Sequence, residues 1–195
     1  MSKRLLVALI VALSLALGWV VWGWHPAAPP SAATPAGGDF TLHSADGPVS
    51  LHDFRGQVVL VYFGYTFCPD ICPTALGYTA QALASLNQDE LARVRVLFIS
   101  VDPARDTPAK LKEYAAFFHP NVLGITGSPE EVAKVAKLYG AHYAKQKTEG
   151  AGGYVVDHSA AMYLMGPDGK LKTTLPHGMP PAQIAAAIRA ALTGR

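Results

Sequence analysis

Two cysteines stand in the 195-residue chain, four positions apart in Phe67-Cys68-Pro69-Asp70-Ile71-Cys72-Pro73. If the turn between them is helical, positions i and i+4 face the same way. The two thiols then converge, close enough to share a metal ion or to form a disulfide. Pro73 suits the first position of a helix, which puts Cys72 at the N-cap. Backbone N–H groups and the helix dipole there favour thiolate over thiol. A stabilising disulfide is the plain alternative. It would close a very small loop and constrain the unfolded chain little, so a reactive pair suits the spacing better.

Two soft thiolates select Cu(I), zinc or an iron–sulfur cluster. With 2 Cys in the whole chain, a four-thiolate site is excluded. Structural zinc wants four ligands, whereas Cu(I) tolerates low coordination. A thiolate pair with one imidazole is therefore a three-ligand copper site, for Cu(I) and, as a second state, Cu(II). Seven histidines compete for the third place. His43 and His52 lie around a first hairpin and His119 at a helix end. His25, His142 and His177 fall in a linker, at an edge strand and in a Pro/Gly-rich loop. His158 differs, because Asp157-His158-Ser159 lies between Gly150, Gly152, Gly153 and an apolar strand. A loop of that kind can close over a metal. The Asp-His pair is a short motif, and spacing alone leaves the third ligand open.

Those residues must be held by a folded domain, and the rest of the chain supplies one. The composition is 50% hydrophobic and 15% charged with a net charge of +2. That balance carries no electrostatic footprint for nucleic acid, and the apolar runs exclude a disordered chain. Lys3 and Arg4 precede an uncharged run, residues 5–24, ending in Trp19, Trp22 and Trp24. About 20 residues span a bilayer core. Lys3 and Arg4 before the run and no Lys or Arg after it until Arg55 put residues 1–4 in the cytoplasm and the rest outside. A cleaved signal peptide is the alternative, although its apolar region is usually shorter, about 7–15 residues. Residues 25–38, rich in Pro, Ala and Gly, read as a linker, and residues 39–195 as the folded domain.

Within that domain, Phe40, Leu42, Val49 and Leu51 flank Asp46-Gly47-Pro48 and suggest a hairpin. Val58 to Phe63 reads as a central strand covered on both faces, with a helix from Pro73 to about Leu86. Arg93 to Val101 reads as a second buried strand. Thr107-Pro108 starts a helix, and Ser128 with Glu131 forms a capping box for another that stops at Gly140. Val122 to Ile125 and His142 to Gln146 are short strands. A hairpin turns at Pro167-Asp168-Gly169, and a last helix runs from Pro181 to about Leu192. Strands alternating with helices imply α/β with a partly parallel, mixed sheet, and a site beyond the C-terminal ends of its parallel strands.

Three stretches together resemble the Sco/SenC family of membrane-anchored copper-binding proteins. They are Tyr62 through Pro73, then Ser100-Val101-Asp102-Pro103-Ala104-Arg105-Asp106-Thr107-Pro108, then Asp157-His158-Ser159 with Pro167-Asp168-Gly169 downstream. The resemblance implies a thioredoxin-like mixed sheet flanked by helices, with an added N-terminal hairpin. It implies copper held by Cys68, Cys72 and His158. It also implies copper delivery to, or thiol reduction of, the dinuclear copper centre of cytochrome c oxidase subunit II, with another periplasmic copper carrier as a second partner. The protein would then be a monomer on the outer face of the cytoplasmic membrane, anchored by a single pass. Asp102 and Arg105 match the family pattern as residues around the ligands or facing a partner, and loop chemistry at a helix entry explains them equally well. Asp157 neighbours His158, but side chains alternate along a strand, which turns it away from the imidazole.

Three classes follow from these residues. One is a metallochaperone, which hands over copper without turnover. Another is a thiol–disulfide reductase using Cys68 and Cys72 as its redox pair. The third is a thiol peroxidase, which needs one exposed low-pKa cysteine. Disulfide exchange has no use for a distant imidazole, so His158 favours the first. The first two are compatible, because copper binding requires the reduced dithiol.

Overall fold

The computed structural model describes residues 2–23, 37–148 and 153–194. It divides into two units, residues 1–33 and 34–195. The first is helix α1, Lys3–Gly23. Its 21 residues at about 1.5 Å each reach roughly the thickness of a bilayer core. Leu5, Leu13, Leu17 and Trp19 are exposed on it, and by length and composition it can cross a membrane, a test that a signal sequence also passes. Trp24 and residues 25–36, most of the expected linker, lie outside the described residues.

The second unit is built on a mixed sheet. Strands β1 (Thr41–Ser44) and β2 (Gly47–Ser50) form the expected hairpin. Its turn lies one residue earlier than the Asp46-Gly47-Pro48 reading, at Ala45-Asp46. His43 pairs with Thr126 through backbone bonds of 2.7 and 2.9 Å, which tie the hairpin to the sheet. Strand β3 (Val58–Gly64) is buried at every position, because it is central and covered on both faces. It pairs in parallel with β4 (Val94–Ser100), and β4 in parallel with β5 (Val122–Ile125). On its other side β3 takes β8 (Met162–Met165) antiparallel, followed by β9 (Leu171–Leu175). The order is β5-β4-β3-β8-β9. This is the expected mixed sheet, with the hairpin added before it.

Helices flank it. Helix α2 (Ile71–Ala84) packs against α6 (Pro181–Leu192), and α4 (Pro108–Phe118) against β5 and β1. Thr107 caps α4 by accepting from Lys110 N–H at 3.3 Å, and Ser128 with Glu131 forms the capping box of α5 (Pro129–Leu138). Gly140 ends that helix at a φ of +61°, a left-handed conformation that glycine adopts without steric cost. Helix α3 (Gln88–Ala92) was not anticipated, although its own capping box, Asn87 with Glu90, is legible in the sequence. Two further strands, β6 (Tyr143–Lys147) and β7 (Tyr154–His158), pair with each other as a ribbon, and among the described residues with no other strand.

Candidate metal centre

The two cysteines leave the C-terminal end of β3, where a site in a parallel sheet is expected. The chain turns at Tyr65–Cys68, with Cys68 N–H donating to the Tyr65 carbonyl at 3.2 Å, and enters α2 at Ile71. Two expectations change here. Cys72 is the second residue of the helix and Asp70 is its N-cap, because Pro73 is tolerated anywhere in the first turn, where N–H groups have no intrahelical partner. Cys68 precedes the helix, so the sulfurs meet through the turn and not along one helix face. The Cys72 N–H, in the first turn of the helix, donates to Cys68 Sγ at 3.4 Å. Both thiols are free.

Space for the inner sulfur comes from Gly64. A Cβ there would lie 2.6 Å from Cys72 Sγ and 2.7 Å from Phe98 Cε2, closer than such atoms approach. Cys72 is fully buried, and Tyr62 donates its hydroxyl toward Sγ at 3.9 Å. The two thiols differ electrically. Cys68 is held well below the usual thiol range, because the Cys72 thiol hydrogen-bonds to it. Burial opposes that effect, and His158 with the backbone N–H groups of Cys72 and Asp70 adds to it. Cys72 is pushed up by the same shared bond and by its deeper burial. Cys68 is the less buried of the two, and it lines an open pocket of about 320 Å³ with Pro69, Ile71, Val155 and His158.

The structure brings His158 to this pair. It is not on a loop but is the last residue of β7, in register with Tyr143. Its Nε2 lies 3.2 Å from Cys72 Sγ. Its Nδ1 lies 3.0 Å from the Ser159 carbonyl. A carbonyl only accepts, so Nδ1 donates to it, and Nε2 is the ring atom that faces the sulfurs. Tyr62 and Tyr65 meet the ring edge-on, with centroids 6.2 and 5.8 Å away. The ligand atoms of Cys68, Cys72 and His158 all lie within 4.8 Å of one another, and no other such group occurs among the described residues. Two soft sulfurs and one nitrogen, converging with an open side, fit Cu(I) better than four-coordinate structural zinc.

The remaining candidates are elsewhere. Asp157 is exposed, opposite Ala144 across the ribbon, as the alternation of a strand requires. His43 and His52 belong to the hairpin and the turn after it. His119 follows the last residue of α4 as its C-cap. Burial lowers its pKa, and Asn121 N–H donates to its Nδ1 at 3.1 Å, so it acts as a neutral acceptor. His142 bonds Ser159, and His177 lines a cavity between α2, β9 and α6. His25 lies outside the described residues. Sequence reasoning gave no role to Tyr62, Tyr65 or Tyr154, because aromatic residues beside apolar runs read as core.

The SCO1/SenC family model matches residues 28–193. A curated relative, the SCO2 homolog of Bos taurus mitochondria, is 47% identical over 134 residues, 68% of this chain and 50% of its own. The chain thus spans about half the length of such relatives. Among solved structures, Bradyrhizobium japonicum ScoI with copper bound is 37% identical with a TM-score of 0.72, covering 80% of this chain and 98% of that one. BsSco, described as having a disulfide switch and as a member of the Sco family of cytochrome c oxidase assembly proteins, is 29% identical with a TM-score of 0.64, covering 84% of this chain and 96% of that one. By these likenesses the chain belongs to the SCO1/SenC family.

Proposed function

We propose that this protein is a copper carrier in which Cys68, Cys72 and His158 hold one copper ion as cargo for the assembly of cytochrome c oxidase. The observation that carries the reading is the convergence of the two thiols and one imidazole within 4.8 Å, from elements 86 residues apart. Copper in relatives such as ScoI and the oxidase-assembly role of the Sco family support it. The recipient is the dinuclear copper centre of subunit II, and another periplasmic carrier supplies the ion. The open pocket beside Cys68 lets a recipient's ligands enter and take the metal, which a closed four-ligand site resists. Residues 5–24 anchor the chain in the cytoplasmic membrane with residues 1–4 inside. Residues 25–38 then serve as linker, and residues 39–195 form a monomeric copper-binding domain on the outer face.

A second activity of the same pair follows from the depressed pKa of Cys68. The Cys68 thiolate attacks a partner disulfide and forms a mixed disulfide, releasing one partner thiolate. Cys72 loses its proton and attacks Cys68 Sγ, and the second partner thiolate leaves. Two electrons pass to the partner, whose two sulfurs are protonated, and Cys68–Cys72 becomes the disulfide. This step consumes the dithiol that copper needs, so the two activities alternate.

Copper titration of the full chain in detergent, beside its Cys68→Ser, Cys72→Ser and His158→Ala variants, tests the reading. Either serine nearly abolishes binding, because a neutral hydroxyl does not replace a soft thiolate. His158→Ala weakens Cu(II) more than Cu(I), which a thiolate pair still holds. One tightly bound equivalent in the serine variants refutes the site, and wild-type behaviour of His158→Ala toward both states removes His158 from it.

A further inference from the structure

Two carboxylates of the loop between β4 and α4 have no part in holding copper, yet each is fully buried and each reaches a different half of the site. Asp106 accepts from Thr66 N–H at 2.9 Å, from the Thr66 hydroxyl at 2.5 Å and from the Ser100 hydroxyl at 2.6 Å. Thr66 is two residues before Cys68, inside the cysteine turn. Asp102 accepts from the Tyr154 hydroxyl at 2.8 and 3.0 Å, pairs with Arg105 and faces Lys145 Nζ at 3.5 Å. Tyr154 opens β7 and Lys145 lies on β6, so these contacts grip the ribbon whose far end is His158. Arg105 adds a bond to the Tyr154 carbonyl at 3.0 Å, with its guanidinium carbon 3.7 Å from the centroid of the Tyr154 ring.

The ribbon pairs with no strand of the main sheet among the described residues, so no ladder sets the distance between His158 and the thiols. Besides the approach of His158 to Cys72 Sγ and to the rings of Tyr62 and Tyr65, a direct backbone tie runs from Val156 N–H to the Tyr65 hydroxyl at 3.2 Å. The loop itself is closed, since Arg105 and Asp106 N–H both donate to the Asp102 carbonyl at 3.0 Å. Burying two carboxylates costs free energy unless their partners satisfy them, and here those partners are the end of β4 at Ser100, the loop itself and the two halves of the site.

We propose that the β4–α4 loop is a two-armed yoke, Asp106 holding the cysteine turn and Asp102 holding the ribbon, which sets His158 against Cys68 and Cys72. Asp102, Asp106, Thr66 and Tyr154 are then positioning residues. The consequence for copper rests on the function proposed above, whereas the mechanical claim does not.

Two nearly isosteric variants separate the arms in the full chain in detergent. Tyr154→Phe deletes the hydroxyl that Asp102 accepts from and keeps the ring. Thr66→Val deletes one donor to Asp106. Without copper, amide hydrogen exchange over residues 154–158 rises about tenfold in Tyr154→Phe, the scale of a lost bond to a charged group, and stays unchanged in β3 and β4. In Thr66→Val the rise falls on residues 66–68, and the dithiol–disulfide equilibrium with glutathione shifts about threefold or more. With copper, the Cu(II) thiolate band and nitrogen hyperfine of Tyr154→Phe move toward those of His158→Ala. Its Cu(II) affinity drops about tenfold and its Cu(I) affinity less than about threefold, on the same energetic scale. Wild-type exchange of the ribbon in Tyr154→Phe overturns the proposal whatever copper does. So does the same pattern of change in both variants, which would make the loop a general staple without separate arms. A wild-type protein that takes up no copper sinks the carrier function alone and leaves the exchange data to decide the yoke.

Discussion

Replacing Gly64 by alanine adds one methyl where β3 meets the metal centre. The residue is glycine for want of space, since the nearest side chains and not the backbone conformation forbid a Cβ. Ordinary contact begins near 3.4 Å, so Cys72 Sγ, at 2.6 Å, must retreat by about 0.8 Å. It has nowhere to go: Cys72 is fully buried, with His158 Nε2 at 3.2 Å and the Tyr62 hydroxyl at 3.9 Å. Overpacking of this kind costs about 1–3 kcal/mol. In a domain of this size each kcal/mol lowers Tm by about 2–4 °C. A metal site tolerates about 0.2 Å in its ligand distances, so the same shift lowers Cu(I) affinity by about tenfold or more, the scale of other changes around metal ligands. Differential scanning calorimetry and competition with a Cu(I) chelator read both effects in the full chain. Gly77 is the control. It lies inside α2 with nothing within 4 Å of an added Cβ, so Gly77→Ala raises stability by about 0.5–1 kcal/mol through helix propensity. Wild-type Tm and copper affinity in Gly64→Ala refute the steric argument, and so does a fall in Tm for both variants.

The thiols give a pH prediction with a sign. A thiol with a depressed pKa stays deprotonated as pH falls below the ordinary cysteine range, near about 8.5, so iodoacetamide labels Cys68 well into acid and Cys72 only above that range. Peptide mapping that finds Cys72 labelled first contradicts the assignment of nucleophile. Mild oxidation of the folded, copper-free chain removes two hydrogens within one Cys68–Cys72 peptide by mass spectrometry, and a pair that oxidises only after unfolding excludes the reductase step. Ser128→Ala removes the acceptor for Glu131 N–H and lowers stability by about 1 kcal/mol in a thermal melt, with copper affinity unchanged. Protease added outside the cytoplasmic membrane digests the domain, and a mature N-terminus within residues 27–38 would replace the anchor by a cleaved signal.

What the sequence alone determined about this protein is local. Strand β3, the helix starts at Thr107 and Ser128, the stop at Gly140 and the last helix over 181–192 rest on periods and caps that act within a few residues. Helix α3 was equally legible in Asn87 and Glu90. The paired cysteines announced soft-metal or redox chemistry by type and spacing. His158 did not announce itself as a ligand by spacing, since its approach to Cys72 closes an 86-residue loop. Only the tertiary structure decided that meeting, together with the ribbon that carries His158, the space Gly64 leaves for a sulfur and the burial of Asp102 and Asp106. The physical reason is that each depends on partners distant in the chain, whose positions are set by packing of the whole sheet and not by the residues beside them.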